Sequence, residues 1–309
     1  MSMVRTHDMM SAVPDTVSSL KAALRGRGIF PGKRLGQSFL LDQNVLRSIV
    51  ETAGICDRDI VLEIGTGAGS LTKHLGDRAR KVLSVEIDRR LCDLSRAALD
   101  SCENVHIVNM DVLRSKAVID PVIEGRLQEW LEGESGSVLK VVSNLPYCIS
   151  TPAIIALLEG GLPVTLMVLT LQKEIVARLV AEPGTKEYGV LSVIAQLFSE
   201  IHVVRTLPAG VFWPAPQVES AVVTLNVDKE KAHRTAPDYK LLSTIVRTVF
   251  QSRRKTLLNS LLMLDLPSID REVLPGVFKK LGIEPRLRGE ALDLDEFVAL
   301  SREISSLIH

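Results

Sequence analysis

Val61-Leu-Glu-Ile-Gly65-Thr-Gly67-Ala-Gly69-Ser70 is the stretch whose reading decides the fold. An apolar run of strand character breaks at a glycine, and glycines at alternate positions then open a helical pattern. Such a strand-to-helix turn lets the backbone approach a ligand at the carboxyl edge of an open parallel sheet. The pattern is G-x-G-x-G, not the G-x-G-x-x-G/A of dinucleotide sites, because position 70 is serine.

Around this turn, β-branched runs at 60–64, 81–86, 105–109, 139–143 and 164–171 alternate with helical patterns. That alternation predicts an α/β fold with a doubly wound parallel sheet. Upstream, Asp42 is placed to cap a helix whose Val45, Leu46, Ile49, Val50 and Ala53 recur on one face. Downstream, runs at 201–205 and 220–227 bracket a proline-rich loop and are expected to close the sheet. Residues 228–238 are charged and poor in apolar side chains, and everything after them reads as helix. The expected organisation is a mobile lead-in over 1–28, carrying Ser18, Ser19, Gly26 and Gly28, a sheet domain over 29–232, and a small all-α domain over 233–309. Residues 115–137 read as a surface excursion lengthening one crossover.

The chain has 309 residues, 46% hydrophobic and 24% charged, which is ample for a buried core and excludes collagen-like and disordered classes. The most apolar long stretch, 153–171, is interrupted by Glu159, Gly160, Gly161 and Pro163, so no membrane span is expected. No export signal is read at the start, and four cysteines without C-x-x-C spacing suggest reduced thiols; the expected location is the cytoplasm. Lys plus Arg equals Asp plus Glu at 37 each, yet 1–40 carries six basic residues against two acids and 229–260 eight against two. Two local basic patches result, headed by Lys33, Arg34, Arg253, Arg254 and Lys255, and they are either phosphate contacts or solvated surface.

Glu86 follows Gly65 by 21 residues at the end of the next strand, where a carboxylate can accept from both hydroxyls of a ribose. Asp111, in Asn109-Met-Asp111, ends the strand after that and can receive an adenine amino group. Acids after successive strands with a G-x-G-x-G turn look like the S-adenosylmethionine methyltransferase arrangement. Glu63, just before the turn, either orients the loop through backbone amides or is plain surface.

After the fourth strand comes Ser143-Asn144-Leu145-Pro146-Tyr147. An adenine amine is a poor nucleophile because its lone pair is delocalised into the ring. The Asn144 side-chain oxygen and a backbone carbonyl of this turn can accept the two amine hydrogens and aim the lone pair at a methyl donor. Oriented oxygen dipoles then stabilise the charge developing on nitrogen, and no strong base is required. Tyr147 is placed to stack on an extruded base and Phe212, in Val211-Phe-Trp-Pro-Ala-Pro216, to close its other face; core packing is the competing reading for both rings.

With these residues in view the chain resembles the bacterial small-subunit (16S) ribosomal RNA adenine N6,N6-dimethyltransferases, the kasugamycin-resistance methyltransferase family. The resemblance runs through 33–40, 63–69, 144–147, 171–174, 212–222 and 247–257, in one order. It implies a Rossmann-like S-adenosylmethionine methyltransferase sheet and transfer of methyl groups to two adjacent adenosines near the 3′ end of small-subunit rRNA in an assembling subunit. It implies cofactor contacts at Ser38, Leu40, Gly65, Gly67, Glu86, Asp111 and Asn144, a catalytic turn of Asn144, Leu145, Pro146 and Tyr147 with Phe212, and RNA contacts at Lys33, Arg34, Arg247, Arg253, Arg254 and Lys255. Ser38 stands where the family usually has Asn, a shorter reach toward the cofactor, and Cys148 where it often has Asn. Arg247, Gln251 and Arg254 are spaced to share one helix face. The six histidines lack ligand spacing, so no metal is expected, and a monomer is the expected state. Two alternatives stay open: a large-subunit rRNA adenine N6-methyltransferase, and a non-catalytic RNA-binding assembly or transcription factor on the same fold.

Overall fold

A computed structural model of the chain describes residues 13–30, 37–115, 117–264 and 270–308. Lys33 and Arg34 lie outside the described residues. In chain order the first elements are α1 (Val17–Gly26), β1 (Phe39–Leu40) and α2 (Gln43–Thr52), then β2 (Asp59–Ile64), α3 (Ser70–Gly76), β3 (Lys81–Glu86), α4 (Arg89–Ala98) and β4 (Val105–Asn109). The short strands β5 (Leu113–Ser115) and β6 (Val118–Ile119) precede α5 (Pro121–Gly133), β7 (Val138–Asn144), α6 (Ser150–Glu159), β8 (Val164–Gln172), α7 (Lys173–Leu179) and α8 (Val190–Phe198). Then come β9 (Ser199–Leu207), β10 (Phe212–Trp213) and β11 (Ser220–Val227).

Seven strands form one sheet in the order β4-β3-β2-β7-β8-β11-β9. The pairs among β4, β3, β2, β7 and β8 are parallel, and β11 runs antiparallel to β8. All six residues of β2 are buried, as a central strand covered on both faces requires. The chain enters the sheet at β2, runs outward through β3 and β4, then returns to β7 on the other side of β2. Connections from β2 and β7 therefore diverge, and the crevice they leave lies at the carboxyl ends of these two strands. The glycine turn and Asn144 are the residues found there.

Asp42 caps α2 as expected, accepting from the amides of Asn44 and Val45 at 2.9 and 3.0 Å. The lead-in differs from expectation. Thr16 and Ser19 form a reciprocal capping box on α1, and Leu20 and Leu24 are buried with Ile29 against Phe39, Leu41, Ala68, Leu91 and Leu94. Residues 17–26 are thus a docked helix, their amphipathic face outweighing the serines and glycines around them. The 115–137 excursion also carries structure: α5 buries Ile123 and Leu127.

The chain divides into two compact units, one of residues up to 176 with 202–227 and the other of 177–201 with 228–309. The boundary expected at 232/233 moves to 227/228, and 177–201 joins the C-terminal helices. That second unit holds α9 (Lys229–Thr235), α10 (Tyr239–Gln251), α11 (Leu257–Leu261), α12 (Leu274–Leu281) and α13 (Leu294–Ile308). Aromatic side chains account for the reassignment. Phe198 of α8 packs edge-on against Tyr239 at 5.1 Å, and Tyr188 against Phe250 at 5.6 Å.

In this unit α10 ends at Gln251, so Arg254 lies beyond the helix and not on the Arg247–Gln251 face. Arg253 is committed to the fold: its guanidinium donates to Glu290 Oε2 at 2.8 Å and to the carbonyls of Lys186, Tyr188 and Thr185 at 2.9, 2.9 and 3.3 Å. A planar fork with several fixed acceptors clasps 185–188 to 253 and 290. Arg254 and Lys255 are exposed, and Lys255 Nζ donates to Met263 Sδ at 3.3 Å.

Candidate active site

The crevice predicted at the divergence of β2 and β7 is present as an open cleft. Its wall includes Ser38, Leu40, Gly65, Gly67, Glu86, Asp111, Asn144, Leu145, Pro146 and Tyr147. These are ten of the eleven residues assigned from sequence to cofactor binding and catalysis; the exception is Phe212.

Gly65 has φ +90°, a conformation that favours glycine, and a Cβ there would stand 2.8 Å from Cγ of Pro146. The glycine turn and the Asn144 turn therefore touch, which brings the two halves of the site together. Glu86 shapes the glycine turn, one carboxylate oxygen accepting from the Gly67 amide at 2.8 Å and the other from the Asp88 amide at 2.9 Å. Each oxygen keeps a further lone pair for a hydroxyl donor. Burial pushes the Glu86 carboxyl above its usual range, although the backbone donors of Asp88 and Gly67 oppose this. Asp111 is exposed and accepts from the Leu113 amide at 2.9 Å.

Glu63 is neither surface nor bonded to the loop amides. It is 1% exposed and accepts from Thr72 Oγ1 and Ser84 Oγ, each at 2.6 Å, while Ser84 and Thr66 hydroxyls lie 2.5 Å apart. Burial dominates these bonds and pushes its pKa up to about 8. The network joins α3, β2, β3 and the glycine turn.

Asn144 donates from Nδ2 to the Ser38 carbonyl at 3.0 Å. Its Oδ1 is buried and accepts no hydrogen bond among the described residues. Native folds rarely leave a buried amide oxygen so, because the lost hydration costs about 1–3 kcal/mol. The Leu145 amide donates to Thr170 at 3.3 Å, and the Pro146 carbonyl accepts from the Ile149 amide and the Ser150 hydroxyl, both at 3.1 Å. Tyr147 opens a short 3-10 turn, and its hydroxyl lies 2.8 Å from Ser220 Oγ, which fixes the ring at the cleft.

Phe212 requires a correction. Its residue is 4% exposed, paired with Leu40 across β1 and β10 and packed in the core with Leu46, Val142 and Val222. Of the two rings expected to hold a base, Tyr147 alone borders the cleft. Core packing, the competing reading, describes Phe212. The Ser38 hydroxyl also has another use than reaching toward a cofactor: it donates to the Pro214 carbonyl at 2.8 Å. Sequence reasoning missed Ser220, Thr72 and Ser84, whose hydroxyls are isolated polar positions in apolar strands or helices and give no signal beyond that.

Among the described residues no group of three or more His, Cys, Asp or Glu is placed to hold a metal ion, and no helix is long and apolar enough to cross a membrane. The donor set suits an adenosine-bearing cofactor, with acidic acceptors at the ends of β3 and beyond β4.

Comparison with known proteins agrees with this geometry. Residues 32–280 match the family model described as ribosomal RNA adenine dimethylase. Proteins named ribosomal RNA small subunit methyltransferase A from Bacillus cytotoxicus and Geobacillus thermodenitrificans are each 42% identical, over 88% and 94% of this chain and 90% and 97% of their own. Among solved structures, a dimethyladenosine transferase from Plasmodium falciparum superposes with a TM-score of 0.68 at 25% identity, covering 86% of this chain and 96% of that one. The 23S rRNA methyltransferase ErmE gives 0.60 at 25% identity, covering 86% and 99%. With a match spanning most of its length and a cleft pairing a glycine turn with an Asn-Leu-Pro-Tyr turn, the chain belongs to the ribosomal RNA adenine dimethylase family.

Proposed function

We propose that this chain transfers methyl groups from S-adenosylmethionine to the N6 amines of two adjacent adenosines near the 3′ end of small-subunit rRNA, acting as a cytoplasmic monomer on a pre-ribosomal particle. The observation that carries the reading is the buried, unengaged Oδ1 of Asn144 beside the glycine turn. Identity of 42% to proteins named small subunit methyltransferase A favours the small subunit over the large as substrate, and an intact acceptor set argues against a non-catalytic factor.

S-Adenosylmethionine, when bound, supplies an electrophilic methyl group on a sulfonium. Glu86 would hold the ribose hydroxyls and Asp111 the adenine amino group, and the glycine turn with Leu40 would admit the rest. Asn144 Oδ1 and one carbonyl of the turn accept the hydrogens of the target amine. The Pro146 carbonyl is already engaged by two donors, which favours Leu145 for this role. Held so, the nitrogen lone pair is drawn out of conjugation with the ring and made available as a nucleophile. The acceptors are already ordered, so they stabilise the charge forming on nitrogen without reorganising, and the proton departs afterwards. Tyr147 stacks on the base, a contact worth about 1–3 kcal/mol.

The test is transfer of labelled methyl to small subunits from cells lacking this activity, with the modified nucleotides mapped. Dimethylation at two neighbouring adenosines near the 3′ end is expected. Modification of large-subunit RNA, or none, overturns the reading.

The engagement of Arg253 within the fold favours its exposed neighbours Arg254 and Lys255 as the RNA contacts. Arg254→Ala is expected to weaken RNA binding and lower the slope of log affinity against log salt by about 1, leaving the melting temperature unchanged. Arg253→Ala is expected to cost about 2 kcal/mol of stability, since it strands several acceptors. Urea unfolding together with salt-dependent RNA binding separates the two roles.

A further inference from the structure

We propose that Ser38 is a positioning residue for Asn144 and not a cofactor contact, an inference that rests on the reading of Asn144 given above. In the antiparallel pair of β1 and β10, Phe39 faces Trp213 and Leu40 faces Phe212. Carrying that register one residue outward sets Ser38 against Pro214. The Leu41 amide donates to the Val211 carbonyl, so hydrogen-bonded pairs alternate at 41/211 and 39/213, and the Ser38 carbonyl, in the next non-hydrogen-bonded pair, faces away from β10. That carbonyl instead accepts from Asn144 Nδ2 at 3.0 Å. The Ser38 hydroxyl meanwhile donates to the Pro214 carbonyl at 2.8 Å, so a side chain continues the pairing where the backbone cannot.

The consequence falls on the amide of Asn144. Rotating it by half a turn would bring Oδ1 against the Ser38 carbonyl, two acceptors with no proton between them. The carbonyl therefore selects which end of the amide stays unengaged, and that end is the acceptor the reaction uses. The hydroxyl holds the carbonyl by fixing residue 38 to the 213–214 segment. Serine's short side chain suits this task because its oxygen lies close enough to its own backbone to bond the register partner.

The experiment uses the full chain with Ser38→Ala and Ser38→Thr, reading kcat for methyl transfer to unmodified small subunits and the Kd of S-adenosylmethionine by calorimetry. Ser38→Ala is expected to lower kcat about fivefold, the effect of one neutral hydrogen bond, with Kd within about twofold of the parent. Ser38→Thr, which keeps a hydroxyl, restores kcat. In an Asn144→Ala background the Ser38→Ala change costs nothing further, because Ser38 acts through that amide. A Kd that weakens in step with kcat makes Ser38 a cofactor contact and overturns the proposal. So does unchanged kcat in Ser38→Ala when Asn144→Ala is inactive, whereas an Asn144→Ala enzyme as active as the parent overturns the reading of the site itself.

Discussion

Alanine at position 144 lowers methyl transfer by about two to three orders of magnitude, the range seen when one preorganised polar group is removed from a charge-stabilising site, and leaves RNA affinity intact. The argument lies in when the contact matters. Before reaction the adenine amine is neutral and conjugated, so an oxygen beside it contributes little; as the lone pair is committed to the methyl group, nitrogen becomes cationic and the same oxygen becomes strongly attractive. The fold holds Oδ1 with no partner among the described residues, so it gives up no protein hydrogen bond at that moment. Asn144→Asp is expected to fail as well. It keeps an acceptor, but it puts an oxygen where Nδ2 now donates to the Ser38 carbonyl. Single-turnover transfer of labelled methyl and filter retention of RNA measure both effects. An aspartate enzyme within about threefold of the parent, with kcat/KM similarly preserved, would contradict this account of the amide's orientation.

The sheet was legible because its residues obey local rules. Each of the seven strands was marked by a β-branched run, and the doubly wound core expected from their alternation with helices is present, with β3 and β7 on either side of β2. The two ends of the chain were harder for a common reason: their behaviour is set by partners remote in sequence. Ser18, Ser19, Gly26 and Gly28 look like a loose lead-in until Leu20 and Leu24 find Ala68 and Leu91. Helix α8 lies between two strands in the chain, yet Phe198 packs against Tyr239, 41 residues further on. Composition therefore placed it in the wrong unit.

The site divides along similar lines. Gly65, Glu86 and Asn144 could be read because each sits at the carboxyl end of a strand, a position the pattern itself defines. Arg253 and Phe212 could not, because charge and aromaticity say what a side chain is able to do and not which partner claims it. Four acceptors claim Arg253, and an apolar cluster claims Phe212. Ser38 is the reverse case. Its hydroxyl was assigned to the cofactor by position alone, and a proline 176 residues away is where it bonds.

Glu63 should make the protein lose stability as pH rises from about 4.5 to about 8. Its carboxyl is 1% exposed and its pKa is pushed up to about 8 in the fold, from a value of 4.5 when free. The folded state thus holds a proton that the unfolded chain releases above pH 4.5, so the stabilisation is complete below that value and disappears as pH passes through 8. At 1.36 kcal/mol per pKa unit the change is about 5 kcal/mol, a large part of the 5–15 kcal/mol that holds a typical domain together. Glu86, also raised by burial, acts with the same sign. Glu63→Gln keeps an acceptor for Thr72 and Ser84 but has no proton to lose, so most of the decline should vanish. Urea unfolding at pH 5, 6, 7 and 8 measures this, and an equally steep decline in the glutamine variant would assign it elsewhere. Ionising the carboxyl strengthens the bonds from Thr72 and Ser84 but leaves a desolvated charge under the glycine turn, which favours local opening of the floor of the cofactor cleft. S-Adenosylmethionine affinity should therefore weaken as pH passes through about 8 in the parent and stay flatter in Glu63→Gln.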